Sequence, residues 1–90
     1  SISFPLQVGM TMNNISSDYT VIEVSGKDRP RVLYDLANSL NQMELNLFRA
    51  QVATFGERVV DVFSVLDSNN KRIEHHQSKK SIINKLSKIF

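Results

Sequence analysis

Apolar residues alternate with other residues at the start of the chain, which is the two-residue period of a strand with one buried face. Pro5 and Gly9 interrupt the run, and both favour the edge of a sheet over its centre. We therefore predict an edge strand over 4–12, followed by a polar turn. The alternating residues are Phe4, Leu6, Val8, Met10 and Met12.

Three later runs have the β-branched and aromatic composition of strands, at 19–25, 45–54 and 58–66. The first and the last are apolar on both faces, as expected of central strands. The short connection Phe55-Gly56-Glu57 predicts a hairpin between the last two runs. Strict alternation in the middle run gives Phe48, Ala50 and Val52 one face and Leu47, Arg49, Gln51 and Ala53 the other.

Two segments carry apolar residues at helical spacing. We predict the first helix from Arg29 to Gln42, with Asp28 as its N-cap candidate and Pro30 in its first turn, where a missing N–H is tolerated. The second helix begins between Glu74 and Ser78. The apolar stripe of the first is Val32, Leu33, Leu36, Ala37 and Leu40; that of the second is Ile82, Ile83, Leu86, Ile89 and Phe90.

The resulting order is strand, strand, helix, strand, strand, helix, whose last five elements match a ferredoxin-like unit without its closing strand. We predict an α+β fold: one four-stranded antiparallel sheet with two helices on one face. The N-terminal strand takes the place of the closing strand. A single domain fills 1–90, with the edge strand and turn in 1–17 and the βαββα core in 18–90. Its helix-free sheet face stays partly apolar, so we expect a homodimer or a second domain of the same kind.

Amino-acid composition and net charge exclude several classes of function. Hydrophobic residues make up 41% and charged residues 22% of the 90 positions, which fits a folded chain. The absence of cysteine excludes disulfides and thiolate chemistry and suits the cytoplasm. No apolar run approaches the roughly 18 residues of a membrane span, so we expect no membrane association. A net charge of +2 is too small to indicate nucleic acid by itself.

The stretch from Tyr19 to Leu36, with Asp-Arg-Pro at 28–30, resembles the opening of an ACT domain, a module that senses small molecules. The stretch from Ala50 to Phe63 resembles the second half of that module, with the pattern Thr-x-Gly-Glu-Arg-Val-x-Asp-x-Phe beginning at Thr54. The combination is most similar to the C-terminal ACT domain of bacterial PII uridylyltransferase/uridylyl-removing enzymes.

This resemblance implies a ferredoxin-like ACT sandwich with a regulatory role. In that family, paired ACT domains sense glutamine and control catalytic domains earlier in the chain. The resemblance implies that this chain needs no cofactor, catalyses nothing itself and reaches the PII signal protein only through a full-length nucleotidyltransferase. The same resemblance implies a cytoplasmic location and a role in nitrogen metabolism.

The loop at 26–32 is the main candidate site, because free N–H groups and the positive end of a helix dipole face the same space. An amino acid's α-carboxylate fits such a place; the alternative is that these residues only start a helix. In paired ACT domains the region of Asn46 in one copy faces this loop in the other. The alternative for Asn46 is an ordinary polar residue. The predicted ligand contacts are Asp28, Arg29, Pro30, Arg31, Val32, Leu33, Asn46 and Leu47.

Arg31 stands where the family pattern has a glycine. Its side chain either folds away from the ligand, blocks the site or adds a contact to a carboxylate. If it blocks the site, the chain is a dimerisation module without a ligand. A third function, an RNA-binding domain, needs exposed aromatic side chains on the middle strands. We expect Phe48 and Phe63 to point toward the helices instead.

The remaining polar groups predict no catalytic or metal site. His75 and His76 are adjacent and point about 100° apart on a helix, so they are not placed to coordinate one metal ion together. The lysines of residues 71–90 suit phosphates or an acidic partner; the alternative is the solvated outer face of a helix. No aromatic residues interleave with these lysines for base stacking. Asp61 is expected to pair with Arg49 or Arg58 at the sheet surface. Glu23 is close enough in this topology to approach Asp61 across neighbouring strands.

Overall fold

The computed structural model describes residues 9–13 and 18–89. The predicted strand positions 4–8, the turn at 14–17 and Phe90 lie outside them. Neither described helix is long and apolar enough to cross a membrane. The elements, in chain order, are β1 Gly9–Asn13, β2 Thr20–Lys27, α1 Val32–Gln42, β3 Asn46–Phe55, β4 Arg58–Leu66 and α2 His76–Ser87.

The strands form one sheet in the order β1-β2-β4-β3, and every neighbouring pair is antiparallel. β2 and β4 are central, as their two-sided apolar composition predicts. β1 pairs along β2 from Gly9 opposite Ser25 to Asn13 opposite Val21. The predicted α+β class, with two helices and an antiparallel sheet, is confirmed. That β1 stands in for a closing strand stays an interpretation of its position.

The core lies between the helices and one face of β2 and β4. Alternate residues of these strands are buried, and the apolar stripes of α1 and α2 pack against them. Each such side chain contributes about 1.5–3 kcal/mol through its removal from water. The buried apolar residues are Ile22, Val24, Val32, Leu36, Leu40, Leu45, Val59, Phe63, Val65, Ile73, Ile82 and Leu86.

The first helix begins later than predicted. Its N-cap is Arg31, in the left-handed region at φ 67° and ψ 10°, and no side chain caps it. The prediction of Asp28 as N-cap and of Pro30 in the first turn is therefore wrong. The Asp28 N–H donates instead to the Glu57 carbonyl at 2.7 Å, which keeps Asp28 beside the hairpin. A positive φ at Arg31 separates Pro30 from the regular helix, since helical residues need a negative φ.

The third strand contains a β-bulge between Leu47 and Arg49. Leu47 lies opposite Val65 and Ala50 opposite Phe63, so Leu47 and Ala50 share the helix-facing side of the sheet. Phe48 is the extra residue of the bulge, because such a bulge sets two residues against one and re-aims a side chain. The predicted alternation through this strand is therefore wrong.

The bulge also changes the environment of Phe48. Its side chain is 54% exposed, and its ring meets the edge of Tyr19 at a centroid distance of 5.4 Å. The expectation that Phe48 points toward the helices is wrong, whereas Phe63 is fully buried among core residues as expected.

The backbone at Arg31 yields a stability prediction. We expect Arg31→Gly to raise the free energy of unfolding by about 1 kcal/mol relative to Arg31→Ala, because only glycine adopts this φ without a Cβ penalty. Both variants lose the arginine side chain, so their difference isolates the backbone term. Urea denaturation followed by circular dichroism measures it. Equal stability of the two variants would contradict the left-handed conformation.

Candidate functional site

The loop at 28–31 joins β2 to α1 and leaves the start of that helix open. Val32 N–H donates to the Arg29 carbonyl at 3.3 Å, and Asp35 N–H donates to the Arg31 carbonyl at 2.9 Å. The intervening first-turn amides, those of Leu33 and Tyr34, have no acceptor within the helix. Since no side chain caps α1, these amides and the positive end of the helix dipole suit an anionic group.

Arg29 holds this loop in place. Its guanidinium pairs with the Asp35 carboxylate at 2.9 Å and donates to the Pro30 carbonyl at 3.0 Å. It also donates to the Ile89 carbonyl at 2.8 Å, beyond the last turn of α2. Its hydrogen-bonding groups are therefore engaged in joining the loop to both helices.

The Arg31 side chain turns toward the first turn of α1. Its guanidinium carbon lies 4.7 Å from the centroid of the Tyr34 ring, a cation–π contact. Tyr34 is 57% exposed, so this contact lies at the solvent side of the helix. Such exposed contacts contribute about 0.5–1 kcal/mol.

Asn46 lies at the other end of the sheet. It begins β3 opposite Leu66, whereas Lys27, just before the loop, lies opposite Arg58. The eight steps of β4 between these points span about 26 Å at 3.3 Å per residue. Within one chain, the two halves of the predicted site are therefore apart.

The Asn46 amide is already engaged. Its Nδ2 donates to Asn70 Oδ1 at 2.8 Å and to the Asp67 carbonyl at 3.4 Å. Leu47 beside it is half-buried and packs against the core. Asn46 thus fastens the start of β3 to the turn before α2, a contact that its sequence position did not indicate.

Asp61 is the polar residue whose position the sequence interpretation missed. It is fully buried, on the same side of β4 as Val59 and Phe63. The expected pairing with Arg49 or Arg58 at the sheet surface is therefore wrong. Glu23 does not share its face either, because Val24 is the residue opposite Asp61. The alternation of β4 carried this signal, since Asp61 has the same parity as two core residues.

Within the described part of the chain, neither carboxylate oxygen of Asp61 has a hydrogen-bond partner. Burial raises the pKa of the Asp61 carboxyl above its ordinary value of 3.8, and the nearby Asp28 carboxylate raises it further. Asp28 itself is exposed in the helix-start loop. Two carboxyl groups therefore interact at this end of the sheet, one in the core and one in the loop.

The raised pKa of Asp61 makes stability depend on pH. Above pH 3.8 the unfolded chain releases this proton while the folded chain still holds it. The free energy of unfolding therefore falls as pH rises through the folded-state pKa. We expect the stability of the wild type, relative to Asp61→Asn, to decline as pH rises above 4 and to level off above the folded-state pKa. Urea denaturation of both proteins across this range measures the difference, and a pH-independent difference would contradict the raised pKa.

The remaining candidates form no site. His75 is the N-cap residue of α2 but makes no side-chain capping hydrogen bond, His76 is the first residue of the helix, and both are exposed. Among residues 9–13 and 18–89, no three histidine or acidic side chains are grouped to hold a metal ion. An open cleft of about 450 Å³ separates the exit of α1 from the first turns of α2. It lies near Leu45, at the end of the domain away from the helix-start loop.

Comparison with known proteins gives one consistent family. A family model described as ACT domain-containing protein ACR9, C-terminal, matches residues 19–90. The bifunctional uridylyltransferase/uridylyl-removing enzyme of Bradyrhizobium diazoefficiens is 54% identical over 65 residues, 71% of this chain and 7% of that enzyme. The enzyme of the same name from Azospirillum brasilense is 40% identical over 74 residues, 82% of this chain and 8% of the enzyme.

A third relative extends the match toward the first residues of the chain. The bifunctional uridylyltransferase/uridylyl-removing enzyme of Ruegeria pomeroyi is 38% identical over 87 residues, 96% of this chain and 10% of that enzyme. No solved structure matches the chain. The chain thus spans a tenth or less of the length of these curated relatives.

Proposed function

The chain belongs to the ACT domain family, and we propose that it is a regulatory domain that binds an amino acid, glutamine, and acts through pairing of ACT domains. The observation that carries this proposal is the uncapped start of α1, where two backbone amides and the helix dipole meet beside the loop at 28–31. An α-carboxylate supplies the acceptor oxygens that these amides lack. The Arg31 guanidinium, drawn to Tyr34, supports a site that stays open.

The edge of the sheet supports the pairing. No described strand covers the outer edge of β3, and its side chains are exposed except for half-buried Leu47. Three large apolar residues are among them: Phe48, Val52 and Phe55. An exposed apolar edge strand readily pairs with another strand. We propose that it pairs with β3 of a second copy or of a second ACT domain.

Such pairing completes the ligand site by symmetry. In an antiparallel two-fold arrangement, the start of one β3 lies beside the end of the other. Asn46 of one copy then approaches the end where Phe55 and the helix-start loop of its partner lie. An amide side chain both donates to a carboxylate and accepts from an ammonium. This arrangement accounts for a site whose halves lie about 26 Å apart within one chain, at 3.3 Å per residue.

The regulatory mechanism follows from this arrangement. A ligand that bridges two domains favours the paired state only by the difference between its affinities for the paired and separate states. We propose that this bias passes to catalytic domains of an enzyme like the relatives above. The PII signal protein as that enzyme's substrate, and a cytoplasmic location, belong to the same proposal.

Glutamine binding is tested by isothermal titration calorimetry of the 90-residue chain with up to 10 mM L-glutamine. We expect saturable heat and a stability gain of about 1.4 kcal/mol at ten times the dissociation constant. Arg31→Ala should bind within about twofold of the wild type, because its guanidinium stacks on Tyr34. Markedly tighter binding by this variant would show that Arg31 blocks the site, and weaker binding that it contacts the ligand.

Absence of both heat and stabilisation in the wild type would defeat the sensing proposal. If the chain still dimerised, the ligand-free interaction module would become the better description.

Pairing through β3 is tested by Ala53→Lys. Ala53 is exposed and lies opposite Val60, on the face of the sheet away from Asp61, so lysine there should leave the fold intact while placing a charge at the proposed contact. We expect the self-association constant to fall at least tenfold in sedimentation velocity experiments. Asn84→Lys adds the same charge at an exposed position of α2 and should leave association unchanged. Equal association of both variants would exclude the β3 edge as the interface.

The RNA-binding alternative gains little support. Phe48 is exposed, but it lies on the edge strand β3 and its ring packs against Tyr19. The middle strands β2 and β4 present no aromatic side chain on the face away from the helices. Their residues there are Val21, Glu23, Ser25, Val60, Val62 and Ser64.

A further inference from the structure

We propose that Asp61 receives the α-ammonium group of the amino acid whose carboxylate docks at the start of α1. This inference rests on the proposed function and assigns the second charge of the same ligand. It makes the site selective for zwitterionic amino acids over acids that lack the amino group, 2-oxo acids included.

The first argument is the isolation of the Asp61 carboxyl group. It is fully buried, and neither of its oxygens has a partner among the residues that the structure describes. Buried polar groups are nearly always hydrogen-bonded, and an unpaired one destabilises the fold. A small apolar residue would fill the space between Val59 and Phe63 without that penalty. A carboxyl group at this position is therefore explained by a partner that arrives with the ligand.

The second argument is its location. Asp61 lies on the side of the sheet that faces the helices, opposite Val24, three residues before the last residue of β2. The loop at 28–31 follows that strand directly. Asp28 begins that loop and its N–H donates to the Glu57 carbonyl at 2.7 Å, beside the first residue of β4, the strand that carries Asp61. The Asp28 carboxylate also raises the pKa of the Asp61 carboxyl. Two carboxyl groups of this kind attract a cation.

The third argument is that the neighbouring arginines of the loop are engaged elsewhere. Arg29 pairs with Asp35 and donates to carbonyl oxygens at Pro30 and Ile89. The Arg31 guanidinium lies over Tyr34. The amides of α1 are donors and suit a carboxylate, whereas Asp61 suits a donor. The two ends of this site therefore match the opposite charges of one amino acid.

The decisive experiment compares two ligands on two proteins by calorimetry. The ligands are L-glutamine and 4-carbamoylbutanoic acid, which is glutamine without its α-amino group. We expect the wild type to bind L-glutamine at least tenfold more tightly. Asp61→Asn keeps the side-chain shape without the charge, and it should lose at least tenfold in affinity for L-glutamine. Its affinity for 4-carbamoylbutanoic acid should stay within twofold of the wild-type value.

A matched control removes a carboxylate elsewhere. Glu23→Gln makes the same change of charge on the neighbouring strand, opposite Val62 and on the other face of the sheet. It should bind both ligands as the wild type does. An equal loss of L-glutamine affinity in this variant would assign the effect to net charge and overturn the role of Asp61.

The outcomes separate the two proposals. If the wild type binds neither ligand, the proposed sensing function fails, and this inference fails with it. If the wild type and Asp61→Asn bind L-glutamine equally, Asp61 is no receptor, while amino-acid sensing stands.

An NMR titration of the wild-type Asp61 carboxyl carbon decides the case if the variant does not fold. Saturating L-glutamine should lower the pKa of this group, and an unchanged pKa would overturn the inference.

Discussion

The antiparallel pairing of β2 with β4 determines which side chains form the core of this domain. Eight residues of each strand are in register, from Thr20 opposite Val65 to Lys27 opposite Arg58. Since side chains alternate along both strands, this register selects which residues face the helices. It places Ile22 and Phe63 at the centre of the core. The same register places the Asp61 carboxyl group in that core. The apolar core, which stabilises the fold, and the unpaired buried carboxyl, which destabilises it, therefore result from one strand pairing.

The register also places the polar groups of the candidate site at opposite ends of the sheet. One end has the helix-start loop with its open amides, and the other has Asn46 and the turn before α2. A pairing surface along β3 offers a way to use both ends, because a two-fold axis brings opposite ends of an antiparallel edge together. The proposed pairing therefore gives so small a domain a shared surface on which both ends contribute to one site.

Sequence patterns predicted the elements, their order and the fold class, because apolar periodicity reports directly on burial. They failed where one backbone conformation decides the outcome. The bulge at Phe48 shifts alternation by one residue, and composition carries no signal for it. The left-handed backbone of Arg31 moves the start of α1. The glycine that the family pattern has at this position indicates a positive φ as well as room for a ligand. The charge of Asp61 predicts a surface position, whereas its parity with Val59 along β4 predicts the buried position that the structure has.

The tether between Asn46 and the turn before α2 gives the edge strand a connection to the second helix. Asp67 organises this turn by accepting backbone hydrogen bonds from Asn69 and Lys71 at 2.8 and 2.9 Å. An amide that rotates toward an incoming molecule gives up its bonds to Asn70 and Asp67. The position of the Asn46 side chain and the order of this turn are therefore linked through two hydrogen bonds.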